Sequence, residues 1–227
     1  MARFDRLDVL QRVHSSGLVP IMYHDNGSVV QSVARAVTKG DARVLEFTNR
    51  GPRALTVFSE LAQYLADNDI DLCLGIGSVV DEATAALFIA HNADFVVSPI
   101  FNPAIARLCN RRRIPYAPGC GTVTEISQAE EAGVEIVKMF PGGTLGGPSF
   151  IKNILGPMPR TKIMPTGGVD ATRESITAWI HAGAACLGMG SKLISKDVVA
   201  ARKYDVISQR VHNVLTWIQQ ARDTKKA

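Results

Sequence analysis

Ile136-Val137-Lys138-Met139-Phe140-Pro141 is a short apolar run closed by a turn residue, with one charge set in its middle. A run of this length and composition reads as a strand covered on both faces. Similar runs occupy 19–23, 43–48, 71–78, 94–99, 115–119, 162–168 and 185–191, and each ends in Gly, Pro, Ser or Asn chemistry. Between them the apolar residues move to helical spacing, as in Val29, Val33, Ala36 and Val37, or Leu55, Phe58, Leu61, Ala62 and Leu65. The chain thus alternates strand and helix eight times. That is the number needed to close a parallel sheet on itself, so the expected fold is α/β, a single (β/α)8 TIM barrel. A doubly wound open sheet is the competing topology, because periodicity alone does not prove closure.

Local signals mark the helix ends. Asp81 precedes Glu82 and an apolar run, and Asp170 opens Asp-Ala-Thr-Arg-Glu, both placing acids in a first turn. Gly40, Gly133 and Gly183 fall where helices should stop, and Arg111-Arg112-Arg113 stands where arginines complement the negative end of a helix dipole. One domain is expected over residues 1–227, with an N-terminal helical segment at about 3–16 and a C-terminal helix at about 196–221. In the latter, Val206, Ile207, Val211, Val214, Leu215 and Ile218 form one apolar stripe to pack on the barrel or on a neighbouring subunit.

Composition narrows the function classes. With 46% hydrophobic residues, no apolar run of membrane-spanning length and no cleavable leader pattern at the N-terminus, a cytoplasmic globular protein without membrane partners is expected. The net charge is only +4 and aromatics are 6%, so a nucleic-acid partner is not expected. Cys73, Cys109, Cys120 and Cys186 lack paired spacing and read as buried free thiols. Gly75-Ile76-Gly77-Ser78 is too short for a dinucleotide fingerprint.

Two residues do not suit their strands. Glu46 lies within Val44-Leu45-Glu46-Phe47-Thr48 and Lys138 within the run quoted above, each near the C-terminal end where barrel enzymes build their sites. A buried ion pair, or a lysine reaching outward past the rim, would explain either one structurally. The two together suit proton-transfer chemistry better. A lysine in an apolar site loses hydration of its charged form, so neutral amine becomes available to attack a ketone. The protonated imine then serves as an electron sink for an adjacent carbon–carbon bond, and a carboxylate can carry the protons.

The other candidates are grips for an anion. Pro165-Thr166-Gly167-Gly168 and Gly188-Met189-Gly190-Ser191 end the seventh and eighth strands, where barrels offer backbone amides to phosphate. Arg50 follows Glu46 just past its strand and can fork onto a carboxylate. His24-Asp25 after the first strand reads as ordinary polar loop, although a contact with substrate is open to it.

These stretches carry a family likeness. In order, Leu18-Val19-Pro20-Ile21, Leu45-Glu46-Phe47-Thr48-Asn49-Arg50, Gly75-Ile76-Gly77-Ser78, Ser98-Pro99, Pro118-Gly119, Lys138-Met139-Phe140-Pro141, Pro165-Thr166-Gly167-Gly168-Val169 and Gly188-Met189-Gly190-Ser191 resemble the 2-keto-3-deoxy-6-phosphogluconate (KDPG) and 4-hydroxy-2-oxoglutarate (KHG) aldolases. The resemblance implies a class I aldolase with Lys138 as the imine-forming amine and Glu46 as the proton shuttle. It implies carboxylate binding by Arg50 and Ser78, phosphate binding by Gly167, Gly168 and Ser191, and pocket positions at Pro99, Phe140 and Thr166. It further implies pyruvate and an aldehyde as small-molecule partners, no metal or other cofactor, and a homotrimer. The departures are Ser78 in place of threonine, Pro99-Ile100-Phe101 in place of Pro-Gly, and the glycine-rich stretch at 142–147. Pro118-Gly119-Cys120-Gly121 leans toward the 2-keto-3-deoxy-6-phosphogalactonate branch, and Arg50 toward the phosphogluconate branch. Two readings from outside this chemistry are a phosphosugar isomerase or epimerase using the same Glu and Lys without an imine, and a non-catalytic sugar-acid binding protein.

Overall fold

A computed structural model describes residues 2–226. The chain runs α1 (Arg6–Ser16), β1 (Leu18–Met22), α2 (Gly27–Lys39), β2 (Val44–Thr48), α3 (Ala54–Asp67), β3 (Cys73–Gly77), α4 (Glu82–Ala90), β4 (Phe95–Val97), α5 (Pro103–Arg112) and β5 (Tyr116–Ala117). It continues with β6 (Gly119–Cys120), α6 (Val123–Glu131), β7 (Val137–Met139), α7 (Pro148–Leu155), β8 (Ile163–Pro165), α8 (Arg173–Ala182), β9 (Leu187–Met189), α9 (Lys196–Ala200) and α10 (Tyr204–Lys226). All strand pairs are parallel. Six strands hydrogen-bond in the order β5-β4-β3-β2-β1-β9 and three in the order β6-β7-β8.

The two sheets are parts of one closed barrel. β5 and β6 are halves of the fifth barrel strand, interrupted at Pro118, whose missing N–H cannot continue the ladder. On the other side, β8 meets β9 through the parallel bridge Thr166–Gly188 and the bond from Ala185 N to Ile163 O (2.9 Å). The barrel expected from the strand-helix alternation is therefore present, and the open-sheet topology is not.

Residue alternation along strands sorts the core into two parts. Val19, Val44, Cys73, Phe95, Val97, Ile136, Met164 and Cys186 fill the barrel, joined from below by Val9 and Val13 of α1. The opposite faces of the strands, with residues such as Leu45, Phe47, Ile76, Val96 and Leu187, pack against the helix ring. The four cysteines are buried free thiols. Along α10, Ile207, Val211, Val214 and Ile218 are buried where it crosses α8 and α2, whereas Val206 is exposed.

Several boundaries differ from expectation. The first helix begins at Arg6, capped by Asp5, because the Arg3 and Phe4 amides are spent on the buried Asp94 carboxylate (2.8 and 3.3 Å). The last helical region is split, since Arg202 takes a left-handed backbone (φ 54°) between α9 and α10. Helix α8 is capped by Thr172, not opened by Asp170, which instead pairs with Lys192. Asp81 caps α4 as expected, and Arg111 and Arg112 sit in the last turn of α5.

Candidate active site

Two residues further along the strands from the barrel-filling layer, the same inward alternation brings polar groups into the interior. Val44 is followed by Glu46, Ile136 by Lys138, Met164 by Thr166, and Val97 by Pro99. Glu46 is 1% exposed and Lys138 6%. Small residues make the room: Gly77 lies directly against Glu46 Oε1, and Gly188 against Thr166 Oγ1. A side chain at either glycine would push its polar neighbour out of place.

Among the described residues, the buried charged side chains are Glu46, Asp94 and Lys138. Asp94 is fully spent on structure, accepting from the Arg3, Phe4 and Leu74 amides at the opposite end of the barrel. Glu46 differs, because its Oε2 is buried with no hydrogen-bond partner. The Lys138 Nζ lies 4.8 Å from the centre of the Phe140 ring, which covers it on the mouth side of the strand. Burial pushes the Glu46 carboxyl above its ordinary range, against the opposing pull of Lys138 and Arg50. It pushes the Lys138 ammonium below its ordinary value, with Glu46 opposing and Arg50 assisting. Both groups therefore shift toward their neutral forms, which favours nucleophilic amine at Lys138 and makes the Glu46 carboxylate a better proton acceptor than an exposed one.

The remaining candidates surround this pair unevenly. Exposed Arg50 donates from Nε to Ser78 Oγ (3.2 Å), and Ser78 itself holds a left-handed backbone (φ 61°) that aims its hydroxyl there. Ser78 thus orients the guanidinium whose remaining donors are free for a carboxylate. Thr166 is buried with an unpartnered hydroxyl. Gly167 and Gly168, at φ 86° and 78°, are exposed, as is Ser191 after β9. The Gly142-Gly143 stretch closes over this turn, with Gly142 N donating to Thr166 O (2.8 Å) and Gly143 N to Gly167 O (2.9 Å). That contact explains two of the glycines after the lysine strand: a Cβ on Gly142 would come within 2.8 Å of Gly167 O, and one on Gly143 within 3.1 Å of the Gly168 Cα. His24 accepts the Asn26 amide through Nδ1 (3.1 Å) in its own turn and lies 3.4 Å from Asp25.

One component escaped the sequence reading. The buried Tyr116 hydroxyl contacts Ser98 Oγ (2.6 Å), accepts the Asn102 amide (3.2 Å) and donates to Ile100 O (3.1 Å), and Asn102 Nδ2 reaches Val80 O (3.1 Å). Burial pushes the phenol up to about 12, so it stays protonated and can donate throughout the working range. The hub clamps the loop carrying Pro99, whose carbonyl lies against Gly119, the register partner of Lys138. A tyrosine in a short strand between two prolines was the available signal, since its polar tip needs a partner when buried. Tyr116→Phe keeps the ring and strands the Asn102 amide. It is expected to lower the unfolding free energy by about 1–2 kcal/mol, seen as a reduced urea midpoint with unchanged slope.

Comparison with known proteins shows the family of the chain. A family profile described as KDPG and KHG aldolase matches residues 9–210. The chain is 30% identical over 211 residues to the 2-dehydro-3-deoxy-phosphogluconate aldolase of Haemophilus influenzae, covering 93% of this chain and 97% of that one. It is 27% identical over 192 residues to the KHG/KDPG aldolase of Escherichia coli K12, covering 85% and 87%. Among solved structures it superposes with a TM-score of 0.80 and 25% identity on the KDPG aldolase of Legionella pneumophila, which holds pyruvate as a covalent carbinolamine; 89% of this chain and 96% of that chain are covered.

Proposed function

Because the chain belongs to the KDPG and KHG aldolase family, we propose that it reversibly cleaves 2-keto-3-deoxy-6-phosphogluconate to pyruvate and glyceraldehyde 3-phosphate through an imine on Lys138. 4-Hydroxy-2-oxoglutarate, giving pyruvate and glyoxylate, is the second substrate of this reading. The observation that carries it is the burial of Glu46 and Lys138 on the inner face of adjoining parts of one barrel, with the Glu46 Oε2 unpartnered.

In this reading the neutral Lys138 amine adds to the C2 ketone, and the carbinolamine loses water to give the protonated imine. Glu46, ionised, takes the proton of the C4 hydroxyl as the C3–C4 bond breaks and its electron pair moves into the imine. The aldehyde leaves, and Glu46 returns the proton to C3 of the resulting enamine. Water then releases pyruvate and regenerates the lysine. Arg50, oriented by Ser78, holds the substrate carboxylate, while Gly167, Gly168 and Ser191 hold the phosphate. Pro99, Phe140 and Thr166 shape the space between. No step calls for a metal or other cofactor.

The family likeness also supports a homotrimer, for which exposed Val80, Leu87 and Ile100 offer apolar surface. A cytoplasmic setting fits the absence, among the described residues, of a helix long and apolar enough to cross a membrane.

Intact-mass spectrometry after incubation with pyruvate and borohydride tests the chemistry. One reduced pyruvyl adduct per chain, absent from Lys138→Ala, is expected. An unlabelled wild type, beside a control aldolase that labels, would overturn the imine and favour the isomerase or binding-protein reading.

A further inference from the structure

The loops leaving β8 and β9 run side by side, joined at their bases by the Thr166–Gly188 bridge. Along 166–172 and 190–195 they carry one acid, Asp170, and one base, Lys192. Asp170 stands two residues after Gly168, and Lys192 directly after Ser191. These side chains meet across the loops, with Lys192 Nζ 3.0 Å from Asp170 Oδ1. Buried Val169 (3% exposed) anchors the first loop between its open glycines and Asp170.

At 66% and 52% exposure the pair sits in high dielectric, where such an ion pair contributes little to folding and is easily exchanged. Its position matters more than its strength. A phosphate dianion settling on the Gly167, Gly168 and Ser191 amides would arrive within a few residues of both charges, repelled by one and attracted by the other. Asp170 alone would oppose the very ligand that the glycine turn is built to take. Lys192 offsets it in the free protein and supplies a mobile cation when the anion arrives.

We propose that Lys192 is a specificity-determining residue, exchanging its Asp170 partner for the phosphate of the incoming aldehyde, so that the site favours phosphorylated over short unphosphorylated aldehydes. The proposal rests on the aldolase reading above for its substrate and on the loop geometry for its ligand class. A purely structural staple between the loops would instead affect every substrate alike.

Two measurements on wild type, Lys192→Gln and Asp170→Asn separate these ideas. The first is the dissociation constant for inorganic phosphate, by calorimetry at low ionic strength, which needs no turnover. The second is KM for glyceraldehyde 3-phosphate and for glyoxylate in the direction of pyruvate addition. Lys192→Gln should weaken phosphate binding and raise the phosphorylated KM by about fivefold, the scale of one exposed charge contact, and leave the glyoxylate KM alone. Asp170→Asn should shift the first two values about twofold the other way. Phosphate binding unchanged in Lys192→Gln, or glyoxylate KM rising in step with the phosphorylated KM, would overturn the proposal. Pyruvate trapping on the same samples isolates the underlying reading: an untrappable wild type with Lys192-dependent phosphate binding would sink the aldolase, and the aldehyde specificity with it, and leave only the phosphate contact of Lys192 standing.

Discussion

Lys138→Met should lose turnover by on the order of 10⁴-fold or more in kcat, the scale seen when a covalent nucleophile is removed, while becoming more stable than wild type. The kinetic half follows because no other amine shares the buried inner face; among the described residues Lys138 is the one buried lysine. The stability half follows from the lowered pKa of Lys138. A group whose folded pKa lies below its unfolded value releases its proton on folding, which makes the fold less stable at every pH below that interval. Stability recovers as pH rises through the window between the depressed folded pKa and the ordinary value of 10.5. The methionine gain should therefore be full at pH below the depressed pKa of Lys138 and fade as pH rises toward 10.5. Parallel denaturant titrations across pH would show it. A mutant less stable than wild type at neutral pH would mean that the Lys138 charge is structurally compensated after all.

Glu46→Gln should cost about 10²–10⁴-fold in kcat, the usual contribution of a positioned acid-base group, and should also reshape the pH profile. In wild type kcat/KM should climb in two steps. Glu46 must ionise to act as base, and burial places that step above the ordinary 4.5. Lys138 must be neutral to attack, and burial places that step below 10.5. The two groups feel one another, so the apparent values belong to the pair. The glutamine variant should keep only the upper step. If both steps persist, the proton carrier is another group.

Much of this was legible because barrels impose simple rules. A buried parallel strand tolerates a charge only for a reason, and alternation by two fixes which neighbours share its face; Glu46 and Lys138 followed from those facts alone. Arg50 and the Gly167-Gly168 turn were readable as types, but the dependence of Arg50 on Ser78 was not, since it requires a left-handed serine backbone. Strand five was expected as one piece, yet Pro118 splits it, an effect of a missing donor weighed against a register that sequence does not display. The Tyr116 hub joins residues 98, 100, 102 and 116, and such long-range hydrogen bonds leave no periodic trace. Asp170 looked like a helix opener because its charge suits a first turn. Its partner Lys192 lies on another loop.

The interruption at Pro118 and the thin junction between β8 and β9 have a mechanical meaning. Lys138 rides on the three-stranded piece and Glu46 on the six-stranded one. No single hydrogen-bonded ladder rigidly sets the gap between Lys138 and Glu46. It is set by how the two pieces are wedged together, by the interior side chains of Phe95, Val97, Ile136 and Met164 and by the helices outside. The barrel is in this respect a pair of jaws whose bite is adjusted by packing, and repacking those interior positions offers a way to tune the spacing of Glu46 and Lys138 without touching either one.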